Sequence, residues 1–233
     1  MANPREPFEA DTIYHVYNHG NGDDLIYRES ENYRFFLERF KFYITSIADI
    51  YAYCLMPNHF HFLLRIKPEE ELISFFEETY PAKARSAMSP KDIADLDLRP
   101  DAQKKPVKSD VDFADLVSRQ FKNFLISYSK SFNKMYGRRG SLFLDNIQRI
   151  KVADDDYFAT MIRYIHFNPV LHGFTDNLFQ WKYSSIHAFY SEKRGLISRE
   201  EVTEWFGGIE PFKHFHRSIQ QEQFDEIKHL TIE

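Results

Sequence analysis

Two histidines one residue apart, His59 and His61, stand in the run Asn58-His59-Phe60-His61-Phe62-Leu63-Leu64. On a β-strand alternate side chains share a face, so both imidazoles would point the same way and could grip one metal ion. Much later the chain carries Tyr164-Ile165-His166-Phe167-Asn168-Pro169, with a tyrosine and an asparagine one helical turn apart. A phenol ionises near pH 10, so at neutral pH it attacks poorly unless a cation or base stands beside it. A divalent ion would meet that need and would also draw charge from a phosphate. These residue types therefore suit attack on a phosphodiester, leaving a phosphate ester on Tyr164 and a free 3′ hydroxyl. That hydroxyl can later attack the ester, so the bond energy is kept and strands can be rejoined. Each pair also has a plain structural reading: satisfied histidines, a core tyrosine, and an asparagine set at a helix end by Pro169.

The elements that must hold these groups follow from periodicity. Thr12–Asn18 reads as a strand closed by a turn at Gly20-Asn21-Gly22, and Glu31–Ile47 reads as a helix with apolar residues at helical spacing. Ile50–Met56 and His59–Ile66 read as strands paired antiparallel across Pro57-Asn58. In the second of these, Phe60, Phe62, Leu64 and Ile66 take one face and His59, His61, Leu63 and Arg65 the other. Pro68 and the acids after it open a helix that runs through Leu72 to about Tyr80. Residues 81–110, rich in proline and charge, read as an insertion. A long helix over Phe113–Tyr136 ends at Gly137-Arg138-Arg139-Gly140. Asp154 or Asp155 caps a helix from Tyr157 to Asn168, which Pro169 stops. Helices are also expected over Ile186–Tyr190, around Glu200–Phe206, and from about Ile219 onward. The fold class is α+β, an antiparallel sheet covered by helices on one face, with the histidine face left accessible.

Composition narrows the function. With 233 residues, 43% of them hydrophobic, and 23 Phe and 14 Tyr, the chain can fill a large core. The single cysteine, Cys54, excludes an intrachain disulfide framework and reads as a small buried hydrophobe in a reducing, cytoplasmic setting. Neither a signal peptide nor a membrane span is evident. The net charge of -5 argues against a general affinity for nucleic acid, but its distribution does not. Between Arg119 and Lys151 there are eight basic residues and one acid, Asp145. Lys122, Lys134, Arg138, Arg139 and Arg149 from this stretch are candidate phosphate contacts, a solvated basic face being the plain alternative. His15, on the strand expected beside His59 and His61, is a candidate for contact with DNA or with a metal ligand. The later pair His214 and His216 repeats the spacing without a strand pattern around it.

Four stretches together resemble the IS200-like single-tyrosine HUH transposases, and most of all their REP-associated tyrosine transposase branch. They are Tyr14-His15-Val16-Tyr17-Asn18; Met56-Pro57-Asn58-His59-Phe60-His61-Phe62-Leu63-Leu64; Phe132 to Phe143; and Arg163-Tyr164-Ile165-His166-Phe167-Asn168-Pro169-Val170 with Trp181-Lys182-Tyr183-Ser184-Ser185 downstream. The resemblance implies a ferredoxin-like domain over residues 1–194 with the insertion 81–110, followed by a helical extension over 195–233. It implies Tyr164 as nucleophile, His59, His61 and Asn168 around one Mg²⁺ or Mn²⁺ ion, a single-stranded hairpin-containing DNA substrate, and a homodimer. Tyr136, Tyr157 and Tyr183 compete for the nucleophile's role. Two rival readings remain open: a catalytically silent hairpin-binding regulator on the same fold, and a metal-dependent phosphodiesterase that uses water.

Overall fold

The structure, a computed structural model, describes residues 6–79 and 113–217. The insertion expected over 81–110 and the helix expected from about 219 lie outside these residues. Strands β1 (Ile13–His19), β2 (Ala48–Met56), β3 (His59–Ile66) and β4 (Gln148–Lys151) form one sheet in the order β2-β3-β1-β4, every neighbouring pair antiparallel. Helix α1 (Ser30–Ile44) joins β1 to β2; α2 (Glu69–Thr79) and α3 (Phe113–Met135) fall between β3 and β4. This is the ferredoxin-like β-α-β-β-α-β order. Beyond it lie α4 (Asp155–Leu171), two 3₁₀ turns (Leu178–Gln180 and Ser185–Tyr190), α5 (Arg199–Trp205) and α6 (Ile209–Arg217). No described helix is long and apolar enough to cross a membrane.

The alternation in β3 sorts the molecule into two cores. Phe60, Phe62, Leu64 and Ile66 face α1 and α3, where Phe40 stacks on Phe62 at 3.8 Å and Phe36 meets Phe124 edge-on at 4.8 Å. Leu63 faces the other way, joined by Ala52, Cys54 and Met56 of β2 and by Phe158, Met161 and Ile165 of α4. Val202 of α5 and Phe212 of α6 are fully buried in this second core. The sheet is thus covered on both faces, and the expectation of an open histidine face is corrected. Its apolar residues require cover, and α4, with an unbroken run of buried residues from Met161 to Pro169, supplies it. Cys54 is buried and free, as its setting implied.

Other elements differ from the sequence reading for identifiable reasons. Strand β4 was not anticipated: Gln-Arg-Ile-Lys has no apolar alternation, and it is a four-residue edge strand held by β1 alone. Helix α1 ends at Ile44 rather than Ile47, and the Ile186–Tyr190 segment winds as a 3₁₀ turn from Ser185. Asp154 caps α4 by accepting from the Tyr157 amide at 2.8 Å. Pro169 does not stop this helix, which continues to Leu171. Proline lacks only the amide that would bond the Ile165 carbonyl, and the amides of His172, Gly173 and Phe174 close onto the carbonyls of Asn168, Val170 and Pro169. His214 and His216 lie on α6, where a two-residue step turns side chains apart rather than together.

Helix α6 is tied to α4 by a buried hydrogen-bond chain of fixed direction. The Tyr53 amide donates to Ser185 Oγ (2.8 Å), and His216 Nδ1 donates to the Phe212 carbonyl (3.0 Å). Because the first group can only donate and the last can only accept, Ser185 Oγ–H must donate to His166 Nε2 (2.8 Å), and His166 Nδ1–H to His216 Nε2 (2.9 Å). Arg163 adds a bond from Nη2 to the Phe215 carbonyl at 2.6 Å and lies over the Phe215 ring. Replacing His216 with Leu would leave the buried His166 N–H without an acceptor. Chemical denaturation should show a loss of about 1–3 kcal/mol; an unchanged midpoint would mean the chain carries no stability.

Candidate functional site

Register decides which side chains meet. Pairing β1 with β3 sets His19 opposite His59 and Tyr17 opposite His61, with His15 diagonal to His61. Four imidazoles and a phenol therefore share the face that α4 covers. From α4 the stripe Tyr164, Asn168 and His172 descends on them at successive helical turns.

Contacts within this cluster are close. His59 Nε2 lies 3.1 Å from Asn168 Oδ1, and His61 Nδ1 lies 2.9 Å from His15 Nε2. The Tyr164 ring meets His61 edge-on at 5.4 Å and His15 at 5.8 Å. His19 stacks on His59 at 4.6 Å, and His172 stands 5.1 Å from the same ring. His15, His59, His61, Tyr164 and Asn168 are all buried, whereas His19 and His172 are half-buried and mark the edge nearest solvent. Gly20, next to His19, allows this edge to close: a Cβ there would sit 2.3 Å from the Asp24 carbonyl.

Burial keeps these imidazoles neutral. It brings the pKa of His15 down to about 3. Burial, then the neighbouring His19, brings His59 to about 3, and burial followed by His59 and His15 holds His61 well below the usual range. The Asn58 amide oxygen accepts from His59 Nδ1 at 2.8 Å, which leaves a lone pair on Nε2. That lone pair faces Asn168 Oδ1, also an acceptor, with no proton between them. Exchanging the amide O and N of Asn168 would supply a donor; so would a cation between the two atoms. The 3.1 Å gap matches adjacent donors of a small octahedral ion, which lie about 3 Å apart when bonds are near 2.1 Å. Two buried atoms in the cluster, His15 Nδ1 and Asn168 Nδ2, have no hydrogen-bond partner among the described residues. His61 Nε2 makes no hydrogen bond to a described residue and is the third potential donor. Among the described residues no group of three or more His, Cys, Asp or Glu is arranged to hold an ion, so a set here would draw on a ligand of another kind, and the asparagine amide lies beside His59.

The structure brings together His59, His61, Tyr164, Asn168 and His15, and separates the other expected site residues from them. His15 is fully buried against His61, which removes it from the surface contacts expected with DNA. Arg149 is also withdrawn: β4 turns its guanidinium inward, where it donates to the Glu6 carbonyl at 2.6 Å and covers the Phe8 ring. Arg138 pairs with Asp24 and donates to Asn133 Oδ1 and the Ser141 carbonyl, so it braces the turn after α3. Lys122, Lys134 and Arg139 remain exposed. Of the competing tyrosines, Tyr136 bonds Glu29 and Asn32, and Tyr183 stacks on Tyr33 at 3.4 Å, both against the α1 side. Sequence reasoning overlooked Tyr17, His19 and His172. The first two continue the period-two pattern from His15, and His172 lies one turn past Asn168 on a helix expected to end earlier.

The chain superposes on a solved structure of a REP-associated tyrosine transposase bound to a REP hairpin, with a TM-score of 0.51 and 14% identity. The match covers 85% of this chain and 90% of that one, and it establishes a transposase-like fold. No family model and no curated protein matches the sequence.

The neutral cluster makes stability depend on pH. Below about pH 6.5 the unfolded chain protonates its histidines while the folded chain, with pKa values of about 3 for His15 and His59 and about 4 for His216, does not. Stability should therefore be level above about pH 7 and fall steadily from pH 6.5 towards pH 4, lowering the melting temperature by more than about 5 °C. A flat profile across that window would show these imidazoles to be hydrated in the folded chain.

Proposed function

We propose that this chain cuts and rejoins single-stranded, hairpin-bearing DNA through a 5′-phosphotyrosine on Tyr164, with His59, His61 and Asn168 holding one Mg²⁺ or Mn²⁺ ion. The observation that carries this reading is the convergence of His59 Nε2 and the Asn168 side-chain amide, 3.1 Å apart, with His61 beside the Tyr164 ring. The hairpin-bound transposase of like fold supports the substrate class.

When bound, the ion would withdraw charge from the scissile phosphate and favour the ionised phenol. The residues of the chain do the rest. His59 is oriented by Asn58, which sets its tautomer, and His61 is oriented by His15. Helix α4 carries the nucleophile and Asn168 on one stripe, so both move as a unit. The apolar residues around them exclude water, which would otherwise hydrolyse the phosphotyrosine. Tyr164 is 1% exposed, so a phosphodiester reaches it only when the edge at His19 and His172 opens.

That closed site is also the observation favouring the second reading, a hairpin-binding protein that does not cut. A labelled single-stranded hairpin incubated with the protein and Mn²⁺ separates the two. The transposase reading expects an adduct that survives denaturation, is lost about a thousandfold or more in Tyr164→Phe, and persists in Tyr17→Phe. An adduct that depends on Tyr17, or none at all with intact protein, would overturn it.

Charge balance gives a separate check. His59, His61 and Asn168 contribute no charge, and the groups shifting the two imidazoles include no carboxylate. A buried dication would then be balanced by the DNA phosphate. Mn²⁺ titrations of Tyr164→Phe followed by electron paramagnetic resonance should show binding about tenfold tighter or more with the oligonucleotide present. Equal affinity with and without DNA would contradict a neutral donor set.

A further inference from the structure

The two imidazoles assigned to the ion are held by partners of different kinds. At His59 the Nδ1 proton goes to the Asn58 amide oxygen, which only accepts, so Nε2 keeps its lone pair. At His61 the partner of Nδ1 is another imidazole, His15 Nε2 at 2.9 Å, and either nitrogen of that pair can carry the shared proton. Both rings are buried, His15 completely. Tyr17 stacks on His15 at 5.0 Å and Tyr164 meets it edge-on at 5.8 Å, which holds the ring against His61.

Two neutral arrangements of this pair follow, and they differ in what they offer an ion. In the first, His61 Nδ1–H donates to His15 Nε2. His61 Nε2 then has a free lone pair, and the second proton of the pair sits on His15 Nδ1. In the second, His15 Nε2–H donates to His61 Nδ1, and His61 Nε2 carries a proton and cannot bind a metal. His15 Nδ1 decides between them. It is buried and has no hydrogen-bond partner among the described residues. A buried N–H without an acceptor is rarer in proteins than a buried acceptor with a spare lone pair. The second arrangement is therefore favoured until an ion binds.

Resting on the function proposed above, we infer that His15 is a positioning residue that switches with the ion: it keeps the shared proton while no ion is bound and gives it to His61 when one binds. The proton count of the pair is unchanged. The shared proton crosses from His15 Nε2 to His61 Nδ1, the proton on His61 Nε2 leaves to solvent, and His15 Nδ1 takes one up. Ion binding thus works against an unpaired N–H on His15, which sets the affinity of the site without touching the ion.

Nitrogen-15 NMR of the full chain labelled at histidine tests the switch, because protonated and unprotonated ring nitrogens resonate far apart. The Tyr164→Phe protein serves as parent, so that no DNA is cut. Without divalent ions His61 should carry its proton on Nε2; with Mg²⁺ and a hairpin oligonucleotide, His61 and His15 should both carry theirs on Nδ1. His61 protonated at Nδ1 in both conditions would overturn the switch. Mn²⁺ titrations by electron paramagnetic resonance, with the oligonucleotide present, test the positioning. Adding His15→Met, which fills the space without an acceptor, should weaken Mn²⁺ binding by about tenfold or more. Adding His15→Gln instead, which restores an acceptor, should recover most of that loss, a rescue that packing alone would not give. Melting curves verify that each variant is folded. If the methionine variant binds Mn²⁺ as tightly as its parent, His15 has no positioning role. If the parent itself binds no Mn²⁺, the metal-assisted reading falls and this inference with it, so the parent's titration tells the two failures apart.

Discussion

Antiparallel pairing of β1 with β3 governs where every group of the candidate site can lie. Because the register sets His19 opposite His59 and Tyr17 opposite His61, the residues of both strands with chemistry to offer emerge on one face. A slip by one residue would send β1's histidines into the phenylalanine core and bring Tyr14 and Val16 to the site. That core resists the slip. Tyr14 and Val16 of β1 are buried in it beside Phe60 and Phe62, and taking them out would cost several kcal/mol. The packing of one face therefore pins the chemistry of the other.

Helix α4 serves both ends of this arrangement. Its apolar residues close the second core, and its stripe of Tyr164, Asn168 and His172 reaches the strand histidines. Burial and positioning are thus coupled, since the helix cannot leave the site without opening the core. The hydrogen-bond chain through Ser185, His166 and His216 secures α4 from the side facing α6. Each of its groups has one donor and one acceptor role, which makes it intolerant of substitution but free of buried charge.

The cluster itself is costly. Five polar side chains are buried there, and desolvation holds the imidazoles in their neutral forms. Their hydrogen bonds leave His15 Nδ1 and one atom of the Asn168 amide unsatisfied among the described residues. Proteins seldom leave buried polar atoms unpaired, so such a concentration fits a site organised for a ligand better than one organised for stability.

What the sequence determined by itself was local. The alternation of His59–Ile66 fixed that strand to the residue, and the spacing of Tyr164 and Asn168 fixed their common helical face. Asp154 was legible as a cap, Cys54 as a core residue, and the α+β class from strands flanked by helices, while the ferredoxin-like arrangement was implied only by the family resemblance. Tertiary structure decided the rest. Strand β4 exists because β1 offers an unpaired edge, not because Gln148–Lys151 has a strand's pattern. Arg149 and Arg138 read as phosphate contacts from charge alone, yet one is buried over the Phe8 ring and the other is held by Asp24. His19, His172 and Tyr17 joined the cluster through pairing register and through a helix that outlasts its proline. The physical reason is the same throughout: periodicity reports which way a side chain points along its own element, whereas its neighbours are set by how elements pack, and packing energy is distributed over residues far apart in the chain.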